Sequence, residues 1–146
     1  VLDVRTIDAR VPRGELNVLE RETAERLIAA SPPAARIVAD GARLFGALTA
    51  RYPQLVALDR AESEHAAVAA ASIVAKVRRD ELFSCIAARY RRDFGPITGG
   101  GYANAGTRAF VEAYVARHGH LPPEARRAFR WSRILPDSPW IRTQGL

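Results

Sequence analysis

Two acidic residues stand where chemistry could gather. Asp40 closes the apolar run Ala35-Arg36-Ile37-Val38-Ala39 and is followed by Gly41. A carboxylate at the carboxyl end of a sheet strand lies where α/β proteins assemble their sites. Asp-Gly is equally a common turn pair, and that plainer reading stays open. Glu62, in Ala61-Glu62-Ser63-Glu64-His65, immediately precedes a long helical stretch. An acidic residue there can simply cap the helix or complement its dipole. Taken together, a strand-end Asp and a helix-start Glu can converge on one point. Carboxylates so placed repel unless a cation intervenes, and oxygen-only donors suit Mg²⁺ or Mn²⁺. Two such ions, about 4 Å apart, would suit in-line phosphodiester cleavage.

A second constellation is Gly99-Gly100-Gly101-Tyr102. Glycines can make an ordinary turn, or let backbone approach a phosphate or sugar closely, and Tyr102 could stack on a sugar or base. The pairs Arg78-Arg79 and Arg126-Arg127 are either solvated charge or phosphate contacts. Cys85, the only cysteine, excludes an intramolecular disulfide and a cysteine-cluster zinc site, and its apolar helical surroundings predict a buried side chain. His65, His118 and His120 lack the spacing of a helical His-x-x-x-His site.

The elements that must position these residues follow from periodicity. Val4 to Ala9 mixes β-branched and charged residues, as an edge strand would. Leu16, Leu19, Ala24, Leu27 and Ile28 fall near helical spacing, ending before Ser31-Pro32-Pro33. Strands are expected over 35–39 and 55–58, with a helical turn or two around Leu44, Phe45 and Leu48. From His65 to about Arg92 no Gly or Pro interrupts the main helix. Its small-residue first half, 66–72, is expected to be buried; its arginine-rich second half should face solvent or phosphate. Another helix should run from about Ala105 to Arg117, and Pro122-Pro123 should open a last short one ending near Arg130. The tail after Pro136 has little pattern. This order makes an α/β fold with too few strands for its helices, which leads us to expect further strands on the N-terminal side.

The chain has 146 residues, 48% of them hydrophobic and 26% charged, a globular composition expected to form a single domain, 1–146, with a C-terminal tail from about 132. No apolar run is long enough for a membrane span, and no signal-peptide pattern opens the chain, so a cytoplasmic protein without membrane contact is expected. Net charge is +6 with a pI near 10.4, and Lys76 is the only lysine. Such an excess favours phosphate-rich partners, although a preference for arginine also follows from GC-rich coding.

Residues 61–76, Ala-Glu-Ser-Glu-His-Ala-Ala-Val-Ala-Ala-Ala-Ser-Ile-Val-Ala-Lys, strongly resemble the block carrying the fourth metal-binding carboxylate of type 2 ribonucleases H. Asp40-Gly41 resembles the motif delivering the third. Val77-Arg78-Arg79-Asp80, Gly100-Gly101-Tyr102 and Arg126-Arg127-Ala128-Phe129 follow in the order found in ribonuclease HII. The resemblance implies an RNase H-like fold, with an incomplete central sheet flanked by helices and a helical C-terminal part. It implies an endonuclease acting on RNA–DNA hybrids and on ribonucleotides embedded in duplex DNA, with two-metal catalysis giving 5′-phosphate and 3′-hydroxyl ends. Asp40 and Glu62 would be the catalytic metal ligands for Mg²⁺ or Mn²⁺. Tyr102, Gly100, Gly101, Lys76 and Arg79 would bind the substrate, with Tyr102 on the sugar at the RNA–DNA junction. Glu62 stands where ribonuclease HII usually has Asp and is more like ribonuclease HIII. Asn104 stands where Thr is usual, and Ala128 where Ser is common. The Asp-Glu-Ala-Gly-Arg-Gly segment expected for the first two carboxylates does not occur, so the chain is expected to be a truncated product or one half of a split enzyme, lacking the N-terminal portion and inactive alone. The other reading is a non-catalytic, basic nucleic-acid-binding remnant of the same fold.

Overall fold

The computed structural model describes residues 1–133 and Leu135; the patternless tail after Pro136 lies outside them. The α/β class expected from the sequence is found: the described chain is mostly helical, with one two-stranded parallel sheet and a helical C-terminal part. Two compact units are distinguished, one built from 10–77 and the other from 1–9 together with the chain from Arg78 onward.

In the unit of residues 10–77, α2 (Leu16–Ala30) runs with the apolar spacing read from the sequence and ends at extended Ser31, ahead of the proline pair. Arg10 ties its start by ion pairs to Glu15 and Glu22, both 2.8 Å. Strand β1 (Ile37–Asp40) and strand β2 (Leu55–Leu58) pair in parallel, with Asp40 opposite Leu58. The crossover consists of a short helix, α3 (Ala42–Phe45), and a 3₁₀ segment, Gly46–Ala50. Gly41 makes the tight exit from β1: its φ of +115° is one that a side chain would strain. Its N–H donates to Leu58 O at 2.6 Å, extending the ladder, and the Asp59 carboxylate accepts from Ala42 N at 2.8 Å to cap α3. Leu19, Leu48, Leu55 and Ala61 are the buried apolar residues of this unit.

The long helix α4 (Ala66–Phe94) appears where the gap in Gly and Pro predicted it. Its small-residue first half is not buried as expected. Residues 70–78 are all exposed, Ile73 and Val74 at 63% and 68% of their surface. Alanine is the best helix former, so this stretch stays helical on propensity without a packing partner along it. Small side chains permit close packing but do not supply the surface that packs against them. Cys85 is likewise exposed, contrary to expectation, because its helix turn faces solvent.

In the other unit the edge strand expected over Val4 to Ala9 is instead helix α1 (Val4–Arg10). Asp3 Oδ1 accepts from Thr6 N at 2.7 Å, an N-cap that satisfies a free helix donor and outweighs the β preference of Val4, Thr6 and Ile7. This bond to the Thr6 N–H, first among the causes, holds the Asp3 carboxyl below its ordinary range. Helix α5 (Ala105–His118) begins at Asn104 and ends in left-handed Gly119. The core gathers Val111, Val115, Leu121, Trp131 and Leu135. The short helix expected from Pro122-Pro123 to Arg130 does not form. Turns closed by Ala125 N to Pro122 O and Phe129 N to Arg126 O replace it, followed by a 3₁₀ turn, Trp131–Arg133. The donors that would continue a helix are taken elsewhere: Asp8 accepts from Arg127 N at 2.9 Å and Ala128 N at 3.0 Å. Among the described residues no helix is long and apolar enough to cross a membrane.

Candidate functional site

Asp40 and Glu62, far apart in sequence, meet at the carboxyl end of the sheet. After β2 the chain turns through Asp59 and Arg60, whose φ of +57° is left-handed, into a 3₁₀ turn, Ala61–Ser63. This turn delivers the N–H of nearly fully buried Ala61 to Asp40 Oδ1 at 3.0 Å. The next residue, Glu62, lines the same groove as Asp40. Asp40 is held below the ordinary carboxylate range, first by the Ala61 N–H and then by the neighbouring Glu62 side chain, with desolvation opposing them and the Arg60 N–H adding least. Both carboxyls are exposed. When both are ionised they repel, and a cation placed between them would relieve that repulsion, which their exposure to water already weakens.

An open groove of about 900 Å³ leads away from the pair, lined by Leu27, Val38, Phe45, Val68 and Ala71 among others. The donor set is two oxygen-bearing side chains presented to solvent side by side, which fits a hard divalent ion and not a thiophilic one. Among the described residues no third Asp, Glu, His or Cys joins them. Lys76 belongs to the same unit, exposed on α4, and makes no ion pair among the described residues.

Arg79, Gly100, Gly101 and Tyr102 are brought together in the other unit. Gly99, Gly100 and Gly101 have φ of +92°, +60° and +73°, so the loop is left-handed at three successive positions and needs glycine at each. A side chain on Gly101 would press on the Phe83 ring at 3.1 Å. Folded this way, the loop carries Tyr102 out at 55% exposure, with the Arg79 guanidinium 3.9 Å from its ring centroid. Arg79 also pairs with Asp80 at 2.5 Å. Arg78 pairs with Glu81 at 2.9 Å and is otherwise solvated. A cavity of about 460 Å³ beside the loop is lined by Phe83, Tyr102, Phe110, Phe129 and Trp131 among others.

Three residues with positioning roles were not singled out for them in the sequence. Asp59 caps α3 behind Asp40. Asp8 fastens the turn of the Arg126-Arg127-Ala128-Phe129 motif. Asn104 caps α5 through Oδ1 to Thr107 N at 3.2 Å and reaches back from Nδ2 to Gly99 O at 2.8 Å. The cap was readable from an Asn before a helical run. The long-range bonds of Asp8 left no local signal.

A profile of the ribonuclease HII family matches residues 20–132 of the chain. The ribonuclease HII of Thermococcus sibiricus is 39% identical over 86 residues, covering 59% of this chain and 37% of that protein. That of Halobacterium salinarum is 46% identical over 74 residues, covering 50% and 33%. That of Caldivirga maquilingensis is 30% identical over 143 residues, covering 94% and 66%. The chain thus spans about a third of the first two relatives and about two thirds of the last.

Proposed function

Because the chain belongs to the ribonuclease HII family, we propose that its carboxylate pair and glycine loop serve an endonuclease that hydrolyses RNA in RNA–DNA hybrids and single ribonucleotides embedded in duplex DNA. The ends produced are 5′-phosphate and 3′-hydroxyl. The observation that supports this reading best is the meeting of Asp40 and Glu62 at the end of a parallel strand, inside the matched region. Asp40 and Glu62 hold Mg²⁺ or Mn²⁺, with Asp40 oriented by the Ala61 N–H. Bound there, such ions supply Lewis-acid stabilisation of the phosphodiester and of the attacking water. Tyr102 packs on the sugar at the RNA–DNA junction, and the backbone of Gly100 and Gly101 comes close to the nucleic acid without side chains in the way. Lys76 supplies positive charge toward phosphates, while Arg79, paired with Asp80, backs the Tyr102 ring. The 2′-hydroxyl marks the ribonucleotide to be cut.

A second reading has its own support in the net charge of +6 and the exposed Arg78, Arg89, Arg91 and Arg92 along α4: a basic module that binds hybrid duplex without cutting it. One experiment separates the two. The chain and its Asp40→Asn variant are incubated with a duplex holding a single ribonucleotide, with Mg²⁺ or Mn²⁺, and Mn²⁺ binding is followed separately by electron paramagnetic resonance. Asp40→Asn is expected to weaken Mn²⁺ binding at least about tenfold and to abolish any cutting. Mn²⁺ binding indifferent to the substitution overturns the carboxylate assignment. Salt-sensitive duplex binding that Asp40→Asn leaves unchanged, without cutting, favours the second reading.

A further inference from the structure

Asn104 stands where the family resemblance led us to expect threonine, and its contacts exceed what a helix cap needs. Its Oδ1 accepts from Thr107 N, the ordinary cap bond. Its Nδ2 donates to Gly99 O at 2.8 Å, and that same carbonyl accepts from Tyr102 N at 3.1 Å. The backbone N–H of Asn104 in turn donates to Tyr102 O at 2.8 Å. One residue, through its side chain at Gly99 and its backbone N–H at Tyr102, therefore joins the start of α5 to both ends of the Gly99–Tyr102 loop. The fit is close: a β-carbon on Gly99 would overlap Asn104 Oδ1. A threonine or serine hydroxyl could make the cap bond, but it is a bond shorter and cannot also reach Gly99 O.

Glycine loops are soft unless tied, because glycine has the widest choice of backbone conformations. Three successive left-handed glycines would leave Tyr102 to wander without a fixed end. Gly106 fixes the other partner: the first turn of α5 lies so close to Thr98 that a β-carbon there would overlap Thr98 Oγ1 and crowd its backbone carbonyl. The loop is thus tied at Asn104 to a helix turn that is itself held against the residue preceding the loop.

We propose that Asn104 is a positioning residue for duplex binding: through Gly99 O it fixes the glycine loop and so sets the Tyr102 ring, stacked against Arg79, for contact with the nucleic acid. The proposal rests on the reading of Tyr102 as a substrate-contacting residue.

Asn104→Asp tests it, because aspartate caps a helix as well as asparagine does but cannot donate to Gly99 O. The measurements are thermal stability, amide order at residues 99–102 by NMR relaxation, and affinity for a fluorescein-labelled RNA–DNA hybrid in EDTA, each made with the full chain. Asn104→Asp is expected to keep its melting temperature while the loop amides fall to flexible order parameters, below about 0.6. Duplex affinity should fall about tenfold, the loss expected for Tyr102→Ala from lost stacking. The double variant should lose no more than either single one, since Asn104 acts through the tyrosine. Loop amides as ordered as in the unchanged protein overturn the proposal, as do additive losses. If Tyr102→Ala weakens binding but Asn104→Asp does not, Asn104 is only a cap. If Tyr102→Ala itself leaves affinity unchanged, the tyrosine reading fails and the role of Asn104 in binding fails with it, while its effect on loop order is still read separately.

Discussion

Replacing Arg79 by lysine keeps the positive charge but removes the planar group that lies 3.9 Å from the centroid of the Tyr102 ring. The Arg79 side chain is 39% exposed, so the stack is worth the solvent-accessible value for a cation–π contact, about 0.5–1 kcal/mol. Part of that is retained by an ammonium, but not the flat face-to-face packing. Losing the stack should therefore lower the population of correctly set tyrosine, and with it hybrid-duplex affinity, by about two- to fivefold. Charge is conserved, so the slope of log affinity against log salt should not change in Arg79→Lys. In Arg79→Gln the stack and the charge both go. If the guanidinium already pairs with Asp80 and touches no phosphate, the slope should again stay put. The assay is fluorescence anisotropy with a labelled hybrid at four or more salt concentrations. A full-affinity Arg79→Lys, together with an Arg79→Gln slope reduced by about 0.9, would show that Arg79 neutralises a phosphate and that its stack on Tyr102 is idle. That pair of results refutes the reasoning.

Tyr90 donates its hydroxyl to Glu124 at 2.7 Å, and burial first, then this bond, pushes its pKa well above the ordinary value. Tyr90→Phe should cost about 1–1.5 kcal/mol, at the low end for a bond to a charged acceptor because Arg89 still holds Glu124. A group whose folded pKa is raised stabilises fully below its unfolded pKa, near 10 for tyrosine, and loses that contribution as pH rises toward the folded value. The difference in denaturant-unfolding stability between the two proteins should be flat from pH 7 to 9 and shrink above about pH 10; a gap that widens there would contradict the bond. Asp8→Ala removes an acceptor shared by Arg127 N and Ala128 N and should destabilise the chain by about 1–2 kcal/mol, seen as a lower urea midpoint. An unchanged midpoint would mean that water serves those donors equally well.

The parts of this chain that were legible in sequence are those governed by local rules. The apolar period of α2, the run Leu55–Leu58 and the unbroken Gly- and Pro-free stretch of α4 each gave an element of the right kind within a few residues. The approach of Asp40 to Glu62 was legible because a parallel crossover returns the chain to the same end of the sheet. What failed depended on distant partners or on competition between local signals. Val4 to Ala9 carries β-branched residues, but one capping bond from Asp3 decided for helix. Residues 122–130 look like a helix start after a proline pair, yet Asp8, over a hundred positions away, claims two of the donors. The exposure of Ile73, Val74 and Val77 could not be foreseen from small neighbours, since composition shows that a face can pack without showing what lies on it. Asn104 was visible as a departure from the family pattern; its second bond, to Gly99, was not.

The three left-handed glycines at 99–101 bear on how variation in this region should be interpreted. At each of them any side chain is strained by backbone geometry alone, and at Gly99 and Gly101 it also meets a neighbour closely. Selection against change there would operate even in a chain that never touched a nucleic acid. Constancy of these glycines among relatives would therefore say little about chemistry, whereas constancy of the exposed Tyr102, which stereochemistry leaves free to vary, would say a great deal.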